Sequence, residues 1–128
     1  MPRKSKDRRP PVAIGHVMFE ARDVAGAAEW FETIGLRPVA RGDDFAVLEL
    51  RGGTHLVIAR AARRAKRGAE APFDLMVDDV DAARRGFAAQ GLEPSRIHRG
   101  SIHDSFVLPG PEGARFTVLS SHAGRRPV

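Results

Sequence analysis

Five histidines, with no cysteine and no tyrosine, set the chemistry open to this chain of 128 residues. Imidazole titrates near neutrality, carries protons and ligates metals, so each histidine is a candidate for acid–base work, a metal or a ligand contact. His16 lies in GHVMFEARDV, on the strand face opposite Val17 and Phe19, and Glu20 shares its face. It reads equally as a ligand contact and as a ring hydrogen-bonded to backbone. His55 opens HLVIAR, and His103 lies in RGSIHDSFVL beside Asp104 and Ser105. If Phe106 packs inward against a helix, His103 and Ser105 face the other side. His98 reads as solvent-exposed. His122, in the closing SSH with Ser120 and Ser121, reads as part of a cap on the last strand. Asp74 and Arg115 add a carboxylate and a guanidinium.

Several chemistries are excluded. Without cysteine there is no disulfide and no thiolate zinc site. There is no G-x-S-x-G elbow and no Ser-His-Asp ordering. RGG and PGPEG are turns rather than phosphate loops, since no helix follows at the needed spacing. No apolar run is long enough to cross a membrane. The opening MPRKSKDRRPP is basic and proline-rich but has no apolar core, so it is not read as a signal peptide. A cytoplasmic location is the expectation.

The net charge of +5 is unevenly spread. Residues 1–9, 60–67 and 125–126 hold 12 of the 21 basic residues and one of the 16 acidic ones, Asp7. The remaining body has nine basic and fifteen acidic residues, a net of −6. A nucleic-acid-binding fold carries its basic stripe on a structured face, so this distribution argues against nucleic acid. It favours a neutral or cationic small molecule.

These residues must be positioned by an internal repeat. Displaced by 56 positions, Asp23-Val24 falls on Asp79-Val80, Ala27 on Ala83, Phe31 on Phe87, Gly35-Leu36 on Gly91-Leu92 and Pro38 on Pro94. Asp23 and Asp79 are N-cap residues, the apolar positions that follow have helical spacing, and Gly35 and Gly91 end the helices. A strand precedes each helix, HVMFEA and FDLMV. Three follow it: RPVAR, FAVLEL and THLVIAR in the first half, PSRIH, DSFVL and ARFTVLS in the second. Each half reads β-α-β-β-β. The expected organisation is a basic, disordered tail (1–11), a first module (12–60), an exposed linker (61–71), a second module (72–122) and a closing tail (123–128). Trp30, beside Phe31, is expected in the core or at a subunit interface. Met18 and Met76 are expected to line the open faces.

Two such modules in tandem resemble the vicinal oxygen chelate superfamily, which includes glyoxalase I, extradiol dioxygenases, fosfomycin-resistance enzymes and bleomycin-resistance proteins. The resemblance spans about residues 12–122. It rests on GHVMFEARDVAGAAEWFETIGL, on FDLMVDDVDAARRGFAAQGL, and on PGPEGARFTVLS, which is similar to the family ending D-P-D-G-N-x-I-E-L. It implies an α+β fold of two βαβββ modules forming a half-barrel cleft, with helices outside, and commonly a homodimer whose clefts the partner completes.

In the metalloenzymes of that superfamily four positions on the concave strands hold the metal. They fall here on His16, Val57, Pro72 and Thr117. Only His16 is a usual ligand, so the resemblance implies that the usual metal site is absent. His55 lies two residues before Val57, Asp74 two after Pro72 and Arg115 two before Thr117. These three are expected on the cleft faces, one layer from His16. The expected ligand-binding set is therefore His16, His55, Asp74, His103 and Arg115, with no cofactor. The leading expectation is metal-independent sequestration of a small molecule, as in the bleomycin-resistance proteins. The alternative is a glyoxalase- or dioxygenase-like lyase or isomerase. It would use a displaced divalent metal on His16, His55 and Asp74, or a histidine–aspartate pair (His55, Asp74) for acid–base catalysis. A third reading is a basic-tailed module docking on an acidic partner.

Overall fold

The fold follows from the two repeats. A computed structural model describes residues 7–63, 65–121 and 126–128. Residues 1–6 of the basic tail, Arg64, and residues 122–125, His122 among them, lie outside the described residues.

In the first half β1 (His16–Ala21) leads into α1 (Val24–Thr33), and β2 (Arg37–Arg41), β3 (Phe45–Glu49) and β4 (His55–Arg60) follow. The second half repeats the order with β5 (Leu75–Val77), α2 (Val80–Ala89), β6 (His98–Arg99), β7 (Asp104–Pro109) and β8 (Arg115–Ser120). Each half forms one open four-stranded sheet, β1-β4-β3-β2 and β5-β8-β7-β6. In each, the first strand runs parallel to the last and the remaining pairs are antiparallel. The α+β reading of two βαβββ modules is what the structure contains.

Local chemistry sets the helix ends. The Asp23 carboxylate accepts the Gly26 N–H at 2.9 Å, and Asp79 accepts that of Ala82 at 3.0 Å. Gly35 and Gly91 follow the helices with φ of 117° and 86°, where a side chain would be strained.

Two second-half strands are shorter than the sequence pattern suggests. Of FDLMV only Leu75–Val77 forms β5, and of PSRIH only His98 joins β6. Before β6 the Val107 N–H bonds to the Ser95 hydroxyl at 2.8 Å rather than to a carbonyl, so no regular ladder forms there. Pro94, beside it, has no N–H to give.

The core joins the modules. Phe116 of β8 stacks on Trp30 of α1 (5.1 Å between centroids) and meets Phe31 edge-on at 5.6 Å and Phe19 of β1 at 5.8 Å. Trp30 is thus half-buried and packed against the core. The 3₁₀ turn Pro111–Gly113 lies against the start of α1, where the Glu112 carboxylate accepts the Arg22 N–H. In return Arg51, in the 3₁₀ turn Arg51–Gly53, pairs with Asp78 at 2.9 Å. The helices cover one face of each sheet: α1 lies over β3 and β4, α2 over β7 and β8. The opposite faces are open. No helix among the described residues is long and apolar enough to cross a membrane.

Candidate functional site

The open face of the first sheet is built in transverse rows. Parallel pairing of β1 with β4 sets His16 opposite His55. The β3–β4 hairpin sets Glu49 opposite His55, and β2 sets Arg37 opposite Glu49. One polar row, His16–His55–Glu49–Arg37, therefore crosses all four strands. The two imidazoles meet edge to face, 5.9 Å between centroids at 74°. Arg37 donates to the Glu49 carboxylate from Nη2 at 2.6 Å and from Nε at 3.0 Å.

The next row is apolar: Met18, Val57, Val47 and Ala40. The third has Glu20, Ala59 and Phe45. Met18 is 52% exposed and Phe45 44%, so this face offers an uncovered apolar floor. Imidazoles stand at one end of the floor, and a carboxylate with a phenyl ring at the other. Such a face can take a flat, partly apolar molecule and hold its polar groups at either end.

Four of the expected residues are placed in two pairs. His16 and His55 are together on the first sheet. Asp74 and Arg115 lie on the open side of the second, in a depression of about 220 Å³ that Pro72 and Thr117 also line. The Arg115 guanidinium is 3.8 Å from the Glu70 carboxylate, which is its ion-pair partner rather than Asp74. His103, half-buried, donates from Nδ1 to the Ser120 carbonyl at 2.7 Å, which assigns the proton to that nitrogen. Its ring is tied to the end of β8, away from the other two pairs.

One expectation is corrected by a layer. His55 was to lie one layer from His16, with Val57 level with it. The observed register instead pairs His16 with His55 and Met18 with Val57. The offset between parallel strands is set by packing and leaves no mark in the local sequence. Glu49 was not among the sequence candidates. Its signal was present, because Glu49 and His55 flank the turn LRGGT at equal distances and a hairpin pairs such residues.

The four positions assigned to a metal by resemblance do not fit one. Val57 and Pro72 have no side-chain donor, and the Thr117 hydroxyl is a poor one. Among the described residues no three of His, Cys, Asp or Glu converge as a ligand set.

Near α2, Arg99 donates to Asp81 at 2.7 Å and to Asp104 at 2.8 Å. The Arg99 hydrogen bond holds the Asp81 carboxyl below its ordinary range.

The fold recurs in solved structures. A lactoylglutathione lyase from Agrobacterium tumefaciens is 20% identical over 91% of this chain and 99% of its own, with a TM-score of 0.72. A glyoxalase/bleomycin resistance protein/dioxygenase from Nocardioides is 19% identical over 94% of this chain and 89% of its own, at 0.69. A protein of the same description from Alicyclobacillus acidocaldarius is 21% identical over 88% and 94%, at 0.67. At such identities the likeness is one of fold. No curated protein matches the sequence. The model of the glyoxalase-like domain family matches residues 16–119. The chain belongs to this glyoxalase-like family, within the vicinal oxygen chelate superfamily.

Proposed function

We propose that the protein binds a small, partly apolar molecule on the open face of the first sheet and sequesters it unchanged, as bleomycin-resistance proteins do. The observation that carries this reading is the pairing of His16 with His55 beside the uncovered floor of Met18, Val57 and Val47. Glu20 closes the far end of the floor and has no ion-pair partner among the described residues, which suits a cationic group on the ligand. An acid–base enzyme on His55 and Asp74 has less support, since the carboxylate across the ladder from His55 is Glu49, already engaged by Arg37.

A second copy of the chain is the partner in this reading, and the cytoplasm is the location. Each open face carries an exposed methionine, Met18 at 52% and Met76 at 46%, and a second copy would cover both. Sedimentation would then give a dimer mass.

The test is a calorimetric titration with metal-free bleomycin, followed by a thermal-shift panel of cationic aromatic compounds. Binding is expected without chemical change in the ligand, and weaker by about tenfold in His16→Ala and His55→Ala. Turnover of a bound compound, abolished in His55→Ala, would replace this reading with the enzymatic one.

A further inference from the structure

The basic run at 60–67 has no part in the site described above, and two of its described residues, Ala65 and Arg67, line a second one. Arg60 is consumed structurally: it pairs with Asp44 at 2.6 Å and donates to the carbonyls of Arg22 and Asp43. Further on, the linker is seated firmly. Gly68 donates its N–H to the Gly113 carbonyl at 2.8 Å. A Cβ at Gly113 would lie 2.9 Å from the Arg67 side chain and 3.3 Å from its Cα, so any side chain there would push Arg67 aside.

Between this linker and the module junction is a cavity of about 560 Å³, lined by Arg22, Asp23, Ala65, Arg67, Glu112 and Gly113. Both of its carboxylates are already engaged by backbone N–H groups: Asp23 by Gly26, Glu112 by Arg22 and Asp23. Neither Arg22 nor Arg67 has an ion-pair partner among the described residues. Both carboxylates keep their negative charge, and the side-chain donors left free for a ligand in this cavity are the N–H groups of the two guanidiniums. Sharing Ala65 and Glu112 with it is a smaller pocket of about 240 Å³, floored by Phe19, Ala71, Pro72 and Ala114. Lys66, Glu20 and Glu70 stand at the rim of that pocket and leave it without net positive charge, so an anionic head belongs in the outer cavity.

We infer that the linker and the module junction form a binding site for a small organic anion with an apolar tail, its head on Arg22 and Arg67 and its tail against Phe19, Ala71 and Pro72. Guanidinium groups suit a carboxylate or phosphate, and the apolar floor sets the preference for a tailed anion over a bare one. The site meets the open face of the first sheet at Glu20 alone, and its binding groups include neither His16 nor His55.

The probe is sodium hexanoate, with hexylamine and inorganic phosphate as controls, followed by calorimetry and by amide NMR shifts. Hexanoate is expected to bind more tightly than either control and to shift the amide signals of Arg67 and Gly113. Affinity is expected to fall by about tenfold or more in Arg22→Gln/Arg67→Gln, and to hold in His16→Ala. Arg67→Gln alone, on an exposed linker residue, gives the same reading if the double variant fails to fold. The inference is overturned by no hexanoate binding, by equal binding of hexylamine or phosphate, or by Arg67→Gln binding as the parent does.

Discussion

The Glu112 carboxylate accepts the backbone N–H of Arg22 at 2.8 Å, across 90 residues of chain. Glu112 does so from φ 60°, the one positive φ of a non-glycine residue among those described. The equivalent turn in the first half places Gly52 at φ 84°. There the module-crossing contact is made instead by Arg51, to Asp78, the repeat-mate of Arg22. The two halves therefore brace each other at equivalent places with different chemistry.

Backbone in the left-handed region costs a non-glycine residue about 1 kcal/mol, and the hydrogen bonds to Arg22 and Asp23 offset it. Glu112→Ala keeps the strain and loses the bonds, so it is expected to destabilise by about 1–2 kcal/mol in urea unfolding. Glu112→Gly loses the bonds but relieves the strain, and is expected to lie within about 1 kcal/mol of the parent. Equal destabilisation by the two variants would show that the turn carries no strain.

Asp81 gives stability a defined pH dependence. Its hydrogen bond from Arg99 lowers its pKa in the folded protein. A lowered pKa stabilises the fold above the unfolded value, about 4, and that contribution is lost as pH falls through the folded value. Asp81→Asn is expected to be less stable than the parent at neutral pH, with the gap closing on acidification below about pH 4. The pair is exposed, so added salt should also narrow the gap. A urea midpoint difference that is the same at both pH values would remove Asp81 as the cause.

Much of the fold was legible because each half announces itself locally. Asp23 and Asp79 cap, Gly35 and Gly91 terminate, and apolar alternation marks Phe19, Leu56, Ile58, Phe116 and Val118 as the covered side, where all five are buried. The same alternation put His16, Met18 and Glu20 on the open face. The layer of His55 was not legible, because it depends on how far β1 slides along β4, and the two strands meet only in the folded chain. The packing of Phe116 against Trp30 and Phe31 was equally hidden, since no pattern within one module encodes what covers it. Glu49 was within reach through hairpin symmetry. It went unread because its pairing with Arg37 belongs to a different hairpin from its pairing with His55.

The donor set can be tested by adding to it. Val57 occupies one of the four positions that the resemblance assigns to a metal, and it lies two residues from His55 on the same face of β4. His16 stands beside His55 across the ladder. If a side chain with no donor at this position is what keeps a metal from binding, Val57→His completes three imidazoles on one face, enough for Ni²⁺ or Zn²⁺ with open positions left for solvent. Val57 is half-buried in the apolar row, so the fold should tolerate the ring. Calorimetry with Ni²⁺ is expected to show the variant binding at least about tenfold more tightly than the parent, a gain of about 1.4 kcal/mol. Replacing His16 with alanine in the variant should abolish that gain. A parent that already binds Ni²⁺ as tightly as Val57→His would show that His16 and His55 recruit a metal without it, and the sequestering reading would then give way to metal chemistry on this face.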